Sequence, residues 1–232
     1  NLCDRLTVGH LKVKGIKKKY NDKIFYTGNP IRPEIYKYKK DYKTHHQDGF
    51  LNLLIFGGSQ GASFFSDIIP DSINKLDNKK KSLLRVFHQV RNNEFERVKK
   101  CYHSMNVKSE VKTFFYNLPE LLNNSHLLIS RSGASTVAEV AATKTPAIFI
   151  PFHHSIDDDQ RLNTIELEKI GQVIVKNEKK LDSNQLYKVI DELIEKPEIL
   201  EKMAKANKEI VANNSSEKIR SIIDNLLSNR EL

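Results

Sequence analysis

Between Ser130 and Glu139 the chain reads Ser-Arg-Ser-Gly-Ala-Ser-Thr-Val-Ala-Glu, small residues set between an apolar run, Leu127-Leu128-Ile129, and a helix-like segment over 137–142. A strand ending in a small-residue turn at a helix start leaves backbone N–H groups unpaired at the positive end of the helix dipole. That arrangement holds phosphate. Glu139 falls one turn inside, where its carboxylate can accept hydrogen bonds from paired sugar hydroxyls. The competing reading is local: Ser135 or Thr136 caps the helix, and Glu139 closes a capping box with Thr136.

Four further clusters carry chemistry-bearing side chains. Gly57-Gly58-Ser59-Gln60-Gly61-Ala62 follows an apolar run at 51–56. Its glycines let the backbone approach a phosphate closely and Ser59 adds a hydroxyl; alternatively, it is a tight strand-to-helix turn and nothing more. No Gly-Lys-Ser/Thr follows, which excludes a P-loop, and Ser59 stands where the dinucleotide motif needs its second glycine. His88-Gln89 closes the next apolar run, facing either the same cleft or the interior. Phe114-Phe115 closes another, as core aromatics or as a surface on which a flat base packs beside Phe115. Pro151-Phe152-His153-His154 leads into Asp157-Asp158-Asp159-Gln160-Arg161-Leu162-Asn163. The three aspartates read as an N-cap and favourable charge at a helix start rather than as a divalent-cation site. Gln160 and Asn163 are three apart and share a helical face, where neutral amides suit a hydroxyl-rich ligand such as a sugar. Ser130-Arg131-Ser132-Gly133 lacks the first glycine of a nucleophile elbow, which excludes a serine hydrolase. His45 and His46 are adjacent but have no further ligand at useful spacing, so no metal is expected there.

Strands that position these clusters are expected at 51–56, 83–88, 111–115, 127–130, 147–150 and 172–175. Helices are expected at 61–76, 93–104, 135–143, 159–170, 183–195, 198–212 and 216–228. Such alternation argues for an α/β fold, a Rossmann-like parallel sheet with helices on both faces. Ligands of such sheets gather beyond the carboxyl ends of the strands, and each cluster lies at an expected strand end. Residues 1–33 hold a short strand at 23–27 stopped by Gly28-Asn29-Pro30. Residues 34–49 read as a linker, 50–212 as the α/β domain and 213–232 as a terminal helix. The 232 residues suffice for one sizeable core, or one and a half domains at roughly 100–200 residues each. With 39% hydrophobic and 29% charged residues the composition is that of a globular protein, and no run of about 18 apolar residues exists to span a membrane. A net charge of +9 admits nucleic acid, anionic lipid or a phosphorylated substrate and selects none of them. Cys3 and Cys101 fit no metal or redox spacing, which suits a reducing cytoplasm.

The motifs, taken in order, resemble one family. Gly28-Asn29-Pro30-Ile31-Arg32, the loop at 57–62, His88-Gln89, Arg131-Ser132-Gly133-Ala134-x-Thr136-Val137-x-Glu139 and Pro151-Phe152 with the later Asp-x-Gln160-x-x-Asn163 are similar to the MurG family of N-acetylglucosamine transferases. The resemblance covers nearly the whole chain. It implies the C-terminal half of a GT-B glycosyltransferase, which binds UDP-N-acetylglucosamine (UDP-GlcNAc) in a cleft between two Rossmann domains. By that resemblance Arg32 and Ser59 contact the diphosphate, with Gln60 beside them, and the backbone near Phe115 holds the uracil. Ala134, Ser135, Thr136, Val137 and Ala138 cradle phosphate at the helix start, Glu139 takes the ribose, and Gln160 with Asn163 reads the sugar. The family reaction is inverting and uses neither metal nor cofactor, the acceptor being lipid I at the cytoplasmic face of the bacterial inner membrane and the product lipid II.

Two departures accompany the resemblance. Arg91 stands where the family has glycine after His-Gln-x, and no glycine-rich histidine loop precedes Asn1. Residues 1–33 are then expected to be the tail of an N-terminal acceptor domain that carries the catalytic base, so no catalytic residue is assigned here and catalysis by this chain alone is not expected. A separate chain can supply that half, and the last helix is expected to pack on it. The alternatives are a non-catalytic UDP-sugar-binding remnant, a UDP-GlcNAc 2-epimerase, and a nucleic-acid binder suggested by charge alone.

Overall fold

The structure, a computed structural model, describes residues 3–10, 13, 15–38, 42, 49–58, 63–155, 158–206 and 214–228. Near the N-terminus two short strands, β1 (Leu6–Val8) and β2 (Ile24–Tyr26), pair in parallel. Gly28 turns the chain out of β2 at φ +75, a conformation that costs glycine little. Asn29 packs so closely on Gly9 that a Cβ there would meet the Asn29 side-chain oxygen at 2.0 Å.

The stretch read as a linker begins with a helix. In α1 (Pro33–Tyr38) the fixed φ of Pro33 suits the first helical turn, and Ile35 is buried among residues of the α/β domain. The rest of the stretch lies mostly outside the described residues, His45 and His46 included.

Beyond it the chain alternates as expected. β3 (Leu51–Phe56) leads to α2 (Ser63–Asn74) and α3 (Asn78–Leu83), then β4 (Leu84–Gln89), α4 (Phe95–Ser104) and β5 (Lys108–Lys112). Next come α5 (Leu118–Asn124), β6 (Leu127–Ser130), α6 (Ala134–Thr143), β7 (Ala147–Phe149), α7 (Asp159–Lys169) and β8 (Val173–Val175). Three helices follow, α8 (Ser183–Glu195), α9 (Pro197–Ala206) and α10 (Ser215–Ser228). The sheet runs β5-β4-β3-β6-β7-β8, and every pairing is parallel.

Period-two alternation places the core. Leu51, Leu53 and Ile55 of β3 join α2, α4, α8 and α9 on one face, through Phe65, Ile69, Tyr102, Ile190 and Leu200 among others. Leu54 and Phe56 join α1, α5, α6 and α7 on the other, through Ile35, Leu122, Val140 and Leu167. A strand apolar on both faces is what a covered parallel sheet requires. Each fully buried large aliphatic side chain contributes roughly 1.5–3 kcal/mol.

The expected elements differ from the observed ones mainly at the sheet edge. The strand expected at 111–115 is β5, three residues earlier, because Arg85 to Gln89 pair with Lys108 to Lys112 and the Val90 N–H closes the ladder on the Lys112 carbonyl. β5 has neighbours on one side alone, so little of it is apolar, and its signal is weak. α3 and α5 were not expected. α5 follows Phe114-Phe115 and has proline in its first turn. The helix expected at 198–212 is described as α9 to Ala206, and residues 207–213 lie outside the description.

Candidate nucleotide-sugar site

Chain order reverses direction across the sheet between β3 and β6: β4 and β5 extend to one side of β3, and β6, β7 and β8 to the other. At such a switch point the loops leaving two neighbouring strands diverge and open a crevice. Here those loops begin with Gly57-Gly58 after β3 and Arg131-Ser132-Gly133 after β6. A Cβ added to Gly58 or Gly133 would meet nothing within 4 Å, so both strand ends face open space. Gly58 also sits at φ +86, where a side chain would be strained. Ser59 and Gln60 lie outside the described residues.

α6 starts without a side-chain cap. Its N-cap is Gly133, and the first intrahelical bond runs from the Val137 N–H to the Gly133 carbonyl. Neither Ser135 nor Thr136 caps the helix, which removes the local capping-box reading. Ala134 and Ser135 are exposed and Thr136 half-buried, while Val137 turns into the core and Ala138 is half-buried. The first turn therefore presents its N–H groups, with the dipole's positive end, to the crevice.

Glu139 and Arg32 meet beside that turn. Arg32 Nε and Nη2 donate to Glu139 Oε1 and Oε2, both at 2.6 Å, in a two-pronged fork. The Glu139 side chain is 6% exposed and that of Arg32 43%. α1 holds the arginine in place: Ile35 is buried, its N–H donates to the Arg32 carbonyl and its carbonyl accepts from Asn123 Nδ2. Arg32 thus joins the start of α1 to α6.

Gln160 and Asn163 brace the loop after β6. Ser132 Oγ donates to the Gln160 carbonyl at 2.8 Å, and Asn163 Nδ2 donates to the Ser132 carbonyl at 3.0 Å. Gln160 Oε1 accepts from the Phe152 N–H at 3.0 Å, so the loops after β6 and β7 are tied through one residue, by its backbone carbonyl and its side-chain amide. Asp158 is the N-cap of α7 in a left-handed conformation and makes no cap bond with its side chain; Asp159 Oδ1 accepts from the Gln160 N–H. Among the described residues no three His, Cys, Asp or Glu side chains gather as metal ligands, and Asp157 lies outside the description.

Phe115 is buried with Phe56, Leu121 and Val137, so its backbone is held against the α6 side of the sheet. Phe114 and Tyr116 on either side are exposed and stand edge to face, 4.9 Å apart. His88 faces the interior: its Nδ1 lies 2.9 Å from the hydroxyl of buried Tyr102, and burial pulls its pKa down to about 3. Gln89 Nε2 reaches the Gly58 carbonyl at 3.4 Å. Arg91 adopts ordinary extended geometry and donates to Ser63 Oγ at the start of α2, so the turn has no need of glycine.

A cleft opens under α6, lined by Val137, Ala138 and Asn163 and by Gly9, Tyr26, Asn29 and Ser215. α10 begins there, with Lys218 Nζ 5.8 Å above the Tyr26 ring. Ile223 and Leu227 further along α10 are exposed. No helix among the described residues is long and apolar enough to cross a membrane.

A model of the glycosyltransferase family 28 C-terminal domain matches residues 52–226. The chain belongs to glycosyltransferase family 28. The resemblance to MurG read from the motifs holds at this level. This family 28 chain is 36% identical over 211 residues to the UDP-N-acetylglucosamine–N-acetylmuramyl-(pentapeptide) pyrophosphoryl-undecaprenol N-acetylglucosamine transferase of Bartonella quintana, covering 90% of this chain and 56% of the relative. The crystal structure of Acinetobacter baumannii MurG superposes with a TM-score of 0.69 at 26% identity, over 79% of this chain and 55% of that one. A UDP-GlcNAc 2-epimerase from Neisseria meningitidis, solved with UDP-GlcNAc bound, shares the fold at a TM-score of 0.52 and 17% identity, over 82% of this chain and 46% of that one. The chain spans about half the length of the curated relatives it matches.

Sequence reasoning missed the buried ion pair behind these loops. Arg131 Nη2 donates to Glu178 Oε1, and His153 donates to the other carboxylate oxygen. Glu178 lies 47 positions from Arg131, in a single 3₁₀ turn after β8. Its position just past a strand end was the one available signal.

Proposed function

We propose that this chain is the donor-binding half of an inverting transferase that moves N-acetylglucosamine from UDP-GlcNAc to lipid I, forming lipid II for peptidoglycan. One observation carries the reading: the uncapped first turn of α6 opens at the sheet's switch point with the Arg32–Glu139 fork beside it. On this reading the diphosphate lies on the N–H groups of Ala134 to Thr136, with Ser59 and Gln60 closing the far side. Arg32 keeps two nitrogens on Glu139 and turns Nη1 to the phosphate. Glu139 aims the arginine and offers its outer lone pairs to the ribose, while the backbone at Phe115 holds the uracil and Gln160 the sugar.

As the acceptor hydroxyl attacks the anomeric carbon, the bond from that carbon to the diphosphate oxygen breaks, and negative charge grows on the leaving UDP. A fixed guanidinium and the helix dipole stabilise that charge without reorganising. The reading requires no metal. The base that takes the acceptor's proton belongs to an N-terminal half, on this chain or a separate one, and the lipid acceptor places the enzyme at the cytoplasmic membrane face. Thermal unfolding with and without ligands tests the donor assignment. UDP-GlcNAc at 100 times its Kd is expected to add about 2.7 kcal/mol of stability while ATP adds little; equal effects from both ligands, or none, contradict it.

A further inference from the structure

Three strand ends converge on Glu178. Arg131 follows β6, His153 follows β7, and Glu178 opens the turn after β8. The Arg131 and Glu178 side chains are 10% and 8% exposed. Arg131 Nη1 also donates to the Ile150 and Pro151 carbonyls at 3.0 and 3.3 Å, and its guanidinium lies 5.1 Å from the Phe65 ring and 5.2 Å from that of Phe152. Burying such a pair is costly, and apolar side chains of similar volume often hold a fold as well. What the pair does here is fix a histidine.

Glu178 Oε2 accepts from the His153 backbone N–H at 3.1 Å and from its ring Nδ1 at 2.6 Å. Burial raises the Glu178 pKa, but the hydrogen bonds from Arg131 and His153 outweigh it and hold the carboxyl below its usual range. An ionised carboxylate only accepts hydrogen bonds, so Nδ1 carries the proton. In the neutral ring Nε2 is then an acceptor, and it has no protein partner among the described residues. The same loop is latched to Gln160 through the Phe152 N–H, which occupies Oε1 and leaves the amide Nε2 as a donor. The loop after β7 and the first turn of α7 therefore carry an imidazole Nε2 and an amide Nε2 to the carboxyl edge of the sheet, two polar groups of the kind that hydrogen-bond sugar hydroxyls.

We propose that His153 reads a hydroxyl of the nucleotide-linked sugar through Nε2, with Glu178 as the positioning residue that fixes its tautomer and Arg131 holding Glu178. This rests on the donor-site reading above. The test is calorimetric titration of the wild type, His153→Ala and Glu178→Gln with UDP-GlcNAc and with UDP. His153 is partly exposed, so His153→Ala is expected to fold. It should bind UDP-GlcNAc about tenfold more weakly, the loss of one good hydrogen bond, and UDP as before. Glu178→Gln should show the same split wherever its UDP affinity shows that the fold survives. Unchanged UDP-GlcNAc affinity in His153→Ala, or an equal loss for both ligands, overturns the inference. So does a wild type that binds UDP and UDP-GlcNAc equally, which leaves the nucleotide site standing. A wild type that binds neither removes the donor-site reading itself.

Discussion

The motifs marked Arg32 and Glu139 separately, as expected ligand contacts, but not as a pair, because 107 positions separate them and only the packing of α1 on α6 brings them together. The fork makes their roles interdependent. Arg32→Ala and Glu139→Ala are each expected to weaken UDP-GlcNAc binding by roughly 1.5–3 kcal/mol. The double variant should lose less than the sum, since the first substitution already dismantles the fork. Additive losses in calorimetric titration would separate the two residues. His88 supports a second prediction. Buried beside Tyr102, it protonates at about 3 in the folded chain, against about 6.5 when unfolded. Between those values the unfolded state binds the extra proton, so stability falls as pH drops from about 6.5 toward 3, by on the order of a few kcal/mol. His88→Gln should flatten that part of the stability–pH curve in denaturant titrations; an unchanged slope would assign the acid sensitivity to other groups.

Among the elements, β3, β6 and α8 were legible to the residue, because two-sided burial or helical amphipathicity marks their whole length. The Asp182 N-cap was legible too: its side chain accepts from the Gln185 N–H while Gln185 Oε1 accepts from the Asp182 N–H. Asp182→Ala should cost about 1 kcal/mol, read as a lowered denaturation midpoint with unchanged slope. Ile69, fully buried on α2 in the cluster that α8 joins, should cost about 2–5 kcal/mol as Ile69→Ala. What periodicity could not show were α1 and α5, each of six or seven residues, too short for a helical repeat to stand out. Their place is fixed by one or two residues, Ile35 in α1 and Leu121 and Leu122 in α5, that fill the α6 side of the sheet. The bare N-terminus of α6 was half legible: small residues marked the turn, but Ser135 and Thr136 looked like caps until Gly133 took that place.

At the scale of the whole molecule, strand order makes the site. A parallel sheet whose order turns back at β3 and β6 sets the two glycine-bearing loops, the uncapped helix and the Arg32 fork around one crevice. The alternation of strands and helices in the sequence predicted such a sheet but not which strands would be neighbours, and that adjacency is what places the loops together. On the donor-half reading, the contacts to the nucleotide sugar come from residues of this chain, and the base for group transfer belongs to the acceptor half. Calorimetric titration of the chain with UDP-GlcNAc, against UDP-glucose and ATP, tests that claim most directly. One-to-one binding of UDP-GlcNAc, tighter than either control and without release of UDP, is the predicted result. A folded chain that binds none of the three, or all three alike, would contradict it.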